Sequence, residues 1–388
     1  MKFKSICFVI FSSANYNSIK SLISEVKKNK NLKLQLIVGS SATSDKYGDV
    51  YNRIVRDGYS VDFKIENQFS TTELSSMVKT TAIAMIELSE CFNKLNPDLV
   101  FTVGDRHETI STAITASYMN ILVAHTMGGE ITGTIDETVR HSITKLSNLH
   151  FVSNYDSYKR VIKLGENKKH VFNVGCPRND LIKKIIKKKK FQKEFKLISK
   201  AGVGDLDEIR QNDHYIVVLQ HPVTTEILKT KKSIQCILKA IVKLNKKNII
   251  IWPNSDAGSD EISKQIRIFR EKGLLKKTKI VKNLPIEQYI PLIKNTKCLI
   301  GNSSSAIRDG SFLGIPAVNI GTRQNGRLRY KNVLDAALDT EDILKKIKKN
   351  YGKKFKSSNI YGDGTSGKRI ISIIKKLKKF STQKQNQF

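Results

Sequence analysis

The stretch DLVFTVGDRHETISTAITASYMNILVAH, residues 98–125, carries the fold in miniature. An apolar run at 98–104 leads into a segment of helical period at 108–118, and a second apolar run follows at 121–125. Neither run alternates apolar with polar, as a strand with one wet face would. Near-continuous apolar runs joined by a helix are read as parallel strands covered on both sides. The same alternation extends outward in both directions. Strands are predicted at 6–12, 33–39, 150–153 and 170–174, and helices at 72–95 and 136–146. Beyond Cys176-Pro177 the pattern restarts, with strands at 215–221, 248–252, 279–281, 298–301 and 317–320. Helices are predicted there at 226–244, 260–272, 286–294 and 304–312. Two successive units of similar size predict an α/β protein of two doubly wound, Rossmann-like domains, 1–180 and 181–367, with a cleft between them. The end segment, 368–388, is expected to pack a helix back onto the first domain, and only the tail 381–388 reads as disordered.

The chain has 388 residues, 39% of them hydrophobic, enough for sizeable cores. Its 68 Lys and Arg against 35 Asp and Glu leave a net charge of +33, which points to an anionic partner. Lysines crowd at 183, 184 and 187–190, but isoleucines and Phe191 interrupt them at helical spacing. That spacing reads as the solvated face of a linking helix. A polyanion-binding protein would interleave aromatics among its basic residues, so no specific nucleic acid is expected. No apolar run approaches the ~20 residues that span a membrane, so no membrane partner is expected. Cys7, Cys91, Cys176, Cys236 and Cys298 are odd in number and lack any CxxC pair, which suits reduced thiols better than disulfides or a zinc site. The apolar stretch at 6–11 is short for a signal peptide, so a cytoplasmic location is expected.

Ligands of open parallel sheets sit beyond the carboxyl ends of the strands, where this sequence concentrates polar groups. Asp105 and Arg106 follow the 98–104 run and could set a carboxylate against a sugar and a cation against a phosphate. A local ion pair at the next helix start is the plain alternative. After 121–125 comes HTMGGE, with Glu130, and then Asp136 near a helix start, where a carboxylate also serves as a cap. Paired glycines let backbone approach a ligand, and flanking acids suit acid/base work on a neutral polar substrate. His221, before Pro222, and Asn254, after Trp252-Pro253, end two strands of the second half. Gly301-Asn302-Ser303-Ser304-Ser305 opens a helix, whose free amides and hydroxyls make an anion site, with Asp309 a candidate acceptor for a ribose diol. There is no GxxxxGK[ST], no GxGxxG after a first strand and no HExxH, which argues against a P-loop hydrolase, a nicotinamide enzyme and a zinc peptidase.

The strings VGDRHET, HTMGGEITGTIDETVRHSITKLSNLHF, VGCPRND, LQHPVTTE, WPNSDAGS, IGNSSSAIRDGSFLGIPAVNIGTRQNGR and IYGDG resemble the hydrolysing UDP-N-acetylglucosamine 2-epimerases. The resemblance implies a glycosyltransferase-B-like fold with the active site in the interdomain cleft. It implies anti elimination of UDP from UDP-N-acetylglucosamine and hydration to N-acetylmannosamine, as in sialic acid synthesis, without metal or redox cofactor. Carried over by motif position, Asp105 and Asp136 become acid/base carboxylates. Arg106, His221, Asn254, Ser303, Ser304, Asp309 and Arg323 become nucleotide or phosphate contacts, and His221 meets the charge of the leaving diphosphate. Relatives imply a homodimer or homotetramer.

Two positions depart from the family pattern. Met127 stands where a glutamate is frequent, which makes Glu130 a further acid/base candidate. Ser12-Ser13-Ala14-Asn15 stands where many relatives carry an arginine for the nucleotide. A 2,4-diacetamido-2,4,6-trideoxyglucose on UDP or GDP is therefore the alternative substrate. A glycosyltransferase of the same fold would share the phosphate loop but would not need the carboxylates after Gly104 and Gly129.

Overall fold

The computed structural model describes residues 3–69, 73–187, 202–204, 206, 209–210, 212–282, 284–378 and 380–387. The chain divides into two compact units. The first comprises Met1–Glu130, Ile135–Leu181 and Tyr361–Phe388, and the second Ile131–Thr134 and Ile182–Ile360.

The first unit is built on seven parallel strands: β1 (Ser5–Ile10), β2 (Lys33–Val38), β3 (Phe63–Lys64), β4 (Leu99–Val103), β5 (Leu122–Thr126), β6 (Leu149–Val152) and β7 (Val171–Asn173). Their order is β3-β2-β1-β4-β5-β6-β7. β4, β5 and β6 are buried along their whole length, as their unbroken apolar runs require. Phe8, Phe101, Phe151 and Phe172 stack in sequence on one face, with ring centroids 4.9, 5.8 and 5.6 Å apart. Small Ala124, paired with Phe101, leaves room for that ladder to cross β5. The other face packs Val9, Val100 and Val123 with Ala84, Leu88 and Phe92 of α3 (Leu74–Leu95) and Ala113 and Ala116 of α4 (Thr109–Tyr118).

The second unit has six parallel strands: β8 (Tyr215–Leu219), β9 (Lys247–Ile251), β10 (Thr278–Val281), β11 (Cys298–Gly301), β12 (Ala317–Ile320) and β13 (Val333–Ala336). They run in the order β10-β9-β8-β11-β12-β13. β8 and β11 approach so closely that a Cβ on Gly301 (φ +126°) would lie 2.1 Å from the Leu219 carbonyl oxygen, so only glycine fits. An isoleucine-rich core joins these strands to α8 (Thr230–Leu244) through Ile237 and Ile241.

Three departures from the sequence reading have local causes. The helix expected over 226–244 breaks at Glu226 (φ −131°, ψ 36°), whose carboxylate accepts from Thr322 Oγ1 at 3.0 Å. Strands β3 and β13 were not anticipated. The tail, expected to be disordered, is tied down in the first unit. Glu166 is 4% exposed and needs cations, and Lys384 supplies one at 2.7 Å while also donating to the Ser147 carbonyl at 2.7 Å. Phe380 stacks on His170 at 4.3 Å, and Gln387 N donates to the Gly165 carbonyl at 2.8 Å. The last helix stops at Lys376 and touches α1 (Ser13–Lys27). Lysines 188–190 and Phe191 lie outside the described residues, while Lys183 and Lys184 stand in the last turn of a helix, Pro177–Ile186. Among the described residues no helix is long and apolar enough to cross a membrane.

Candidate active site

Strand order reverses between β1 and β4 in the first sheet and between β8 and β11 in the second. A reversal splays the connections and opens a crevice at the carboxyl ends.

In the first unit the chain leaves β4 through Gly104 (φ +83°) and presents Asp105. His125, at the end of β5, donates from Nε2 to the Gly104 carbonyl at 2.9 Å. Burial pushes its imidazole down to about 3, so it is neutral. A carbonyl can only accept, which puts the proton on Nε2 and leaves Nδ1 as an acceptor, 3.3 Å from Thr144 Oγ1. The following loop is tight. Met127 takes φ +65°, and a Cβ on Gly129 would lie 2.4 Å from the Ser157 carbonyl oxygen.

Arg140, on α5 (Ile135–Leu146), organises this end of the sheet from full burial. Its guanidinium donates to the Asp105 carboxylate and, at 2.6 Å, to the Glu130 carbonyl. A buried guanidinium needs such partners, and meeting them fixes the Asp105 side chain. The Glu130 carboxylate, 2% exposed, turns instead to Ser153 Oγ at 2.6 Å. Asp136 stands one turn before Arg140, half-buried in the first turn of α5. Arg106 makes the local ion pair that was its plain alternative: Nε lies 2.6 Å from Glu108 Oε1, and His107 Nδ1 lies 3.0 Å from Oε2. Burial pushes the Glu108 carboxyl up, but Arg106 and His107 outweigh it and hold the group well below the usual carboxylate range.

In the second unit, Asn302 bridges the crevice between β8 and β11. His221 N donates to Asn302 Oδ1 at 2.8 Å, and Asn302 Nδ2 donates back to the His221 carbonyl at 2.8 Å. Asn254 N reaches His221 Nδ1 at 3.4 Å, the Asn254 side chain donates to Asp256, and Arg323 lies 3.8 Å from the same carboxylate. Ser303 caps α11 (Ser304–Leu313), accepting from Ser305 N at 3.3 Å. Asp309 departs from expectation. It is fully buried and accepts from Ser305 Oγ at 2.6 Å, so in this arrangement it braces the serine loop from below rather than presenting an acceptor. A small pocket opens beside His221 and Asn302, lined also by Gln220, Glu226, Thr230 and Thr322.

A family model described as UDP-N-acetylglucosamine 2-epimerase matches residues 24–375. The chain is 32% identical over 360 residues to a Campylobacter jejuni protein named GDP/UDP-N,N'-diacetylbacillosamine 2-epimerase (hydrolyzing), covering 92% of this chain and 90% of that one. It is 30% identical over 373 residues to the Legionella pneumophila UDP-N,N'-diacetylbacillosamine 2-epimerase (hydrolyzing), covering 96% of each. The chain belongs to the UDP-N-acetylglucosamine 2-epimerase family. Its fold is similar to that of the Methanocaldococcus jannaschii UDP-GlcNAc 2-epimerase solved with UDP-GlcNAc and UDP, with a TM-score of 0.78 at 17% identity over 95% of this chain and 99% of that one.

Within this epimerase family chain, the structure gathers Asp105 and Glu130 around Arg140, and His221 and Asn254 around Asn302. It turns Arg106 toward Glu108 and Asp309 inward. Sequence reasoning gave Arg140, Asn302 and Glu108 no role. The available signal for Arg140 was its spacing of one helical turn from Asp136, which places both on one side of a helix.

Proposed function

We propose that this chain is a hydrolysing nucleotide-sugar 2-epimerase that acts on a UDP-linked 2-acetamido sugar. In this reading the second unit holds the nucleotide and the first carries the proton chemistry. A carboxylate removes the proton at carbon 2 as the bond from carbon 1 to the diphosphate oxygen breaks, which leaves a 2-acetamidoglucal and free UDP. Water then adds its hydroxyl to carbon 1, and carbon 2 regains a proton on the opposite face, inverting that centre. The observation that carries this reading is Arg140, which is fully buried and joins the Asp105 carboxylate to the loop carrying Glu130. Asp105 and Asp136 exchange the proton at carbon 2, while Glu130, held by Ser153, shapes the loop between them. The dipole and amides at the start of α11, with Ser303, Ser304 and Arg323, meet the diphosphate, and His221 meets the charge of the departing oxygen. His221 is fixed for this by Asn302 and Asn254.

Two sugars fit this chemistry. UDP-N-acetylglucosamine would give N-acetylmannosamine. The relatives from Campylobacter and Legionella support the second, N,N'-diacetylbacillosamine, which is the 2,4-diacetamido-2,4,6-trideoxyglucose alternative. Reaction in heavy water tests the mechanism for both. The free product should carry deuterium at carbon 2 in the manno configuration, with one equivalent of UDP. Protium retained at carbon 2 with nucleotide released would leave a glycosyltransferase or simple hydrolase instead.

A further inference from the structure

Helix α5 faces the site at successive turns. Asp136, Arg140 and Thr144 follow one another at fourth-residue spacing, which sets them on one side of the helix. Arg140 donates to the Asp105 carboxylate and the Glu130 carbonyl. Thr144 Oγ1 stands 3.3 Å from His125 Nδ1, and the same imidazole holds the Gly104 carbonyl next to Asp105. A slide or rotation of α5 would move these contacts together. What fixes the helix along its axis lies at its far end.

The last carbonyls of a helix have no partner within it. Those of α5 find theirs outside. Ser147 Oγ donates to the Ile143 carbonyl at 2.7 Å, and Ser117 Oγ to the Leu146 carbonyl at 3.1 Å. The tail supplies the rest. Lys384 Nζ donates to the Thr144 carbonyl at 3.3 Å and to the Ser147 carbonyl at 2.7 Å, and it meets Glu166 Oε2 at 2.7 Å. An ammonium has three donors, and here they meet three acceptors. Its charge also stands at the negative end of the α5 dipole. Glu166 lies 2.9 Å from Lys145 Nζ, in the last turn of α5, so one buried carboxylate ties helix and tail together. Asn148 Nδ2 donates to the Thr382 carbonyl at 3.0 Å and keeps the tail across the helix end.

We propose that Lys384 is a positioning residue: by capping α5 from the tail it sets where Arg140 holds the Asp105 carboxylate, an inference that rests on the reaction proposed above. A pocket lined by Asn148, Glu166, His170 and Lys384 opens beside the cap, so a small amine can enter where the side chain is cut back. Lys384→Ala, with unchanged circular dichroism, should lower kcat about tenfold at unchanged KM, since the second unit holds the nucleotide in that reading. Ethylammonium should restore most of the lost turnover, and tetramethylammonium, which has no N–H, should not. Lys384→Met, which fills the space without a charge, should be equally slow and unresponsive to ethylammonium. Phe380→Ala loses the stack on His170 but keeps Lys384, and should retain wild-type kcat although it melts earlier. Hydrogen exchange, read without substrate, should be about tenfold faster over residues 140–147 in Lys384→Ala, and ethylammonium should slow it again. Unchanged exchange there overturns the cap. Wild-type kcat in Lys384→Ala, no rescue by ethylammonium, or an equal loss of kcat in Phe380→Ala overturns the positioning role. A wild-type product without deuterium at carbon 2 would sink the reaction instead, and exchange would still decide the cap.

Discussion

His221 and Asn302 hold each other by two reciprocal hydrogen bonds, each 2.8 Å, across the point where the second sheet reverses its strand order. One asparagine thereby ties the end of β8 to the turn that opens the serine loop. Replacing Asn302 by Ala leaves the half-buried His221 N–H and carbonyl without that partner, at a cost of about 1 kcal/mol or more. UDP affinity should fall roughly 10–100-fold, read by calorimetry, through displacement of His221. Unchanged affinity would separate His221 from the nucleotide site.

Asp105→Asn should lower turnover by roughly 10²–10⁴-fold, the range for a lost general acid or base, and should also destabilise the fold, since it leaves the buried Arg140 guanidinium without its carboxylate. Arg140→Met should match it in turnover, because the Asp105 carboxylate and the Glu130 carbonyl lose their common donor. It too should destabilise the fold. Near wild-type turnover in Arg140→Met would show that Asp105 needs no such anchor.

Ser303→Ala with Ser304→Ala removes two hydroxyls but leaves the amides and dipole at the start of α11. UDP binding should weaken without vanishing. A loss of all measurable binding would mean that the hydroxyls carry the diphosphate, and an unchanged constant would move the diphosphate elsewhere.

His125 predicts a pH dependence of stability. In the folded chain it stays neutral down to about 3, whereas in the unfolded chain it takes up a proton below its ordinary 6.5. Between those values the unfolded state binds more protons, so the contribution of His125 is full above 6.5 and is lost as pH falls. At pH 5 the loss is about 2 kcal/mol. Thermal unfolding at pH 7 and 5 should show the drop, and His125→Gln should reduce it by that amount. Equal slopes in the two proteins would place the proton uptake on other groups.

The central strands were legible because they are buried on both faces, so their sequences are apolar throughout. β3 and β13 were not legible. Each is an edge strand, and Phe63–Lys64 and VLDA at Val333–Ala336 keep polar residues on an open side. In the site, loop carboxylates and the serine turn stood out because they interrupt apolar runs. Arg140 did not, since a charged residue in a helix reads as surface until its burial is seen. Asp309 erred the other way, an acid near an anion site that folds beneath it. The tail was misread because Ser, Thr, Gln and Asn suggest disorder, while its anchor, Glu166, lies 218 residues from Lys384.

The first unit is sewn from widely separated stretches, since it needs Tyr361–Phe388 as well as Met1–Glu130 and Ile135–Leu181. A ribosome delivers Ile182–Ile360 before it delivers the last pieces of that unit. The first unit must therefore wait, incomplete, while the stretch of the second emerges. Glu166 spends that interval without Lys384. Premature termination soon after Ile360 would thus strike a unit whose earlier stretches were made long before.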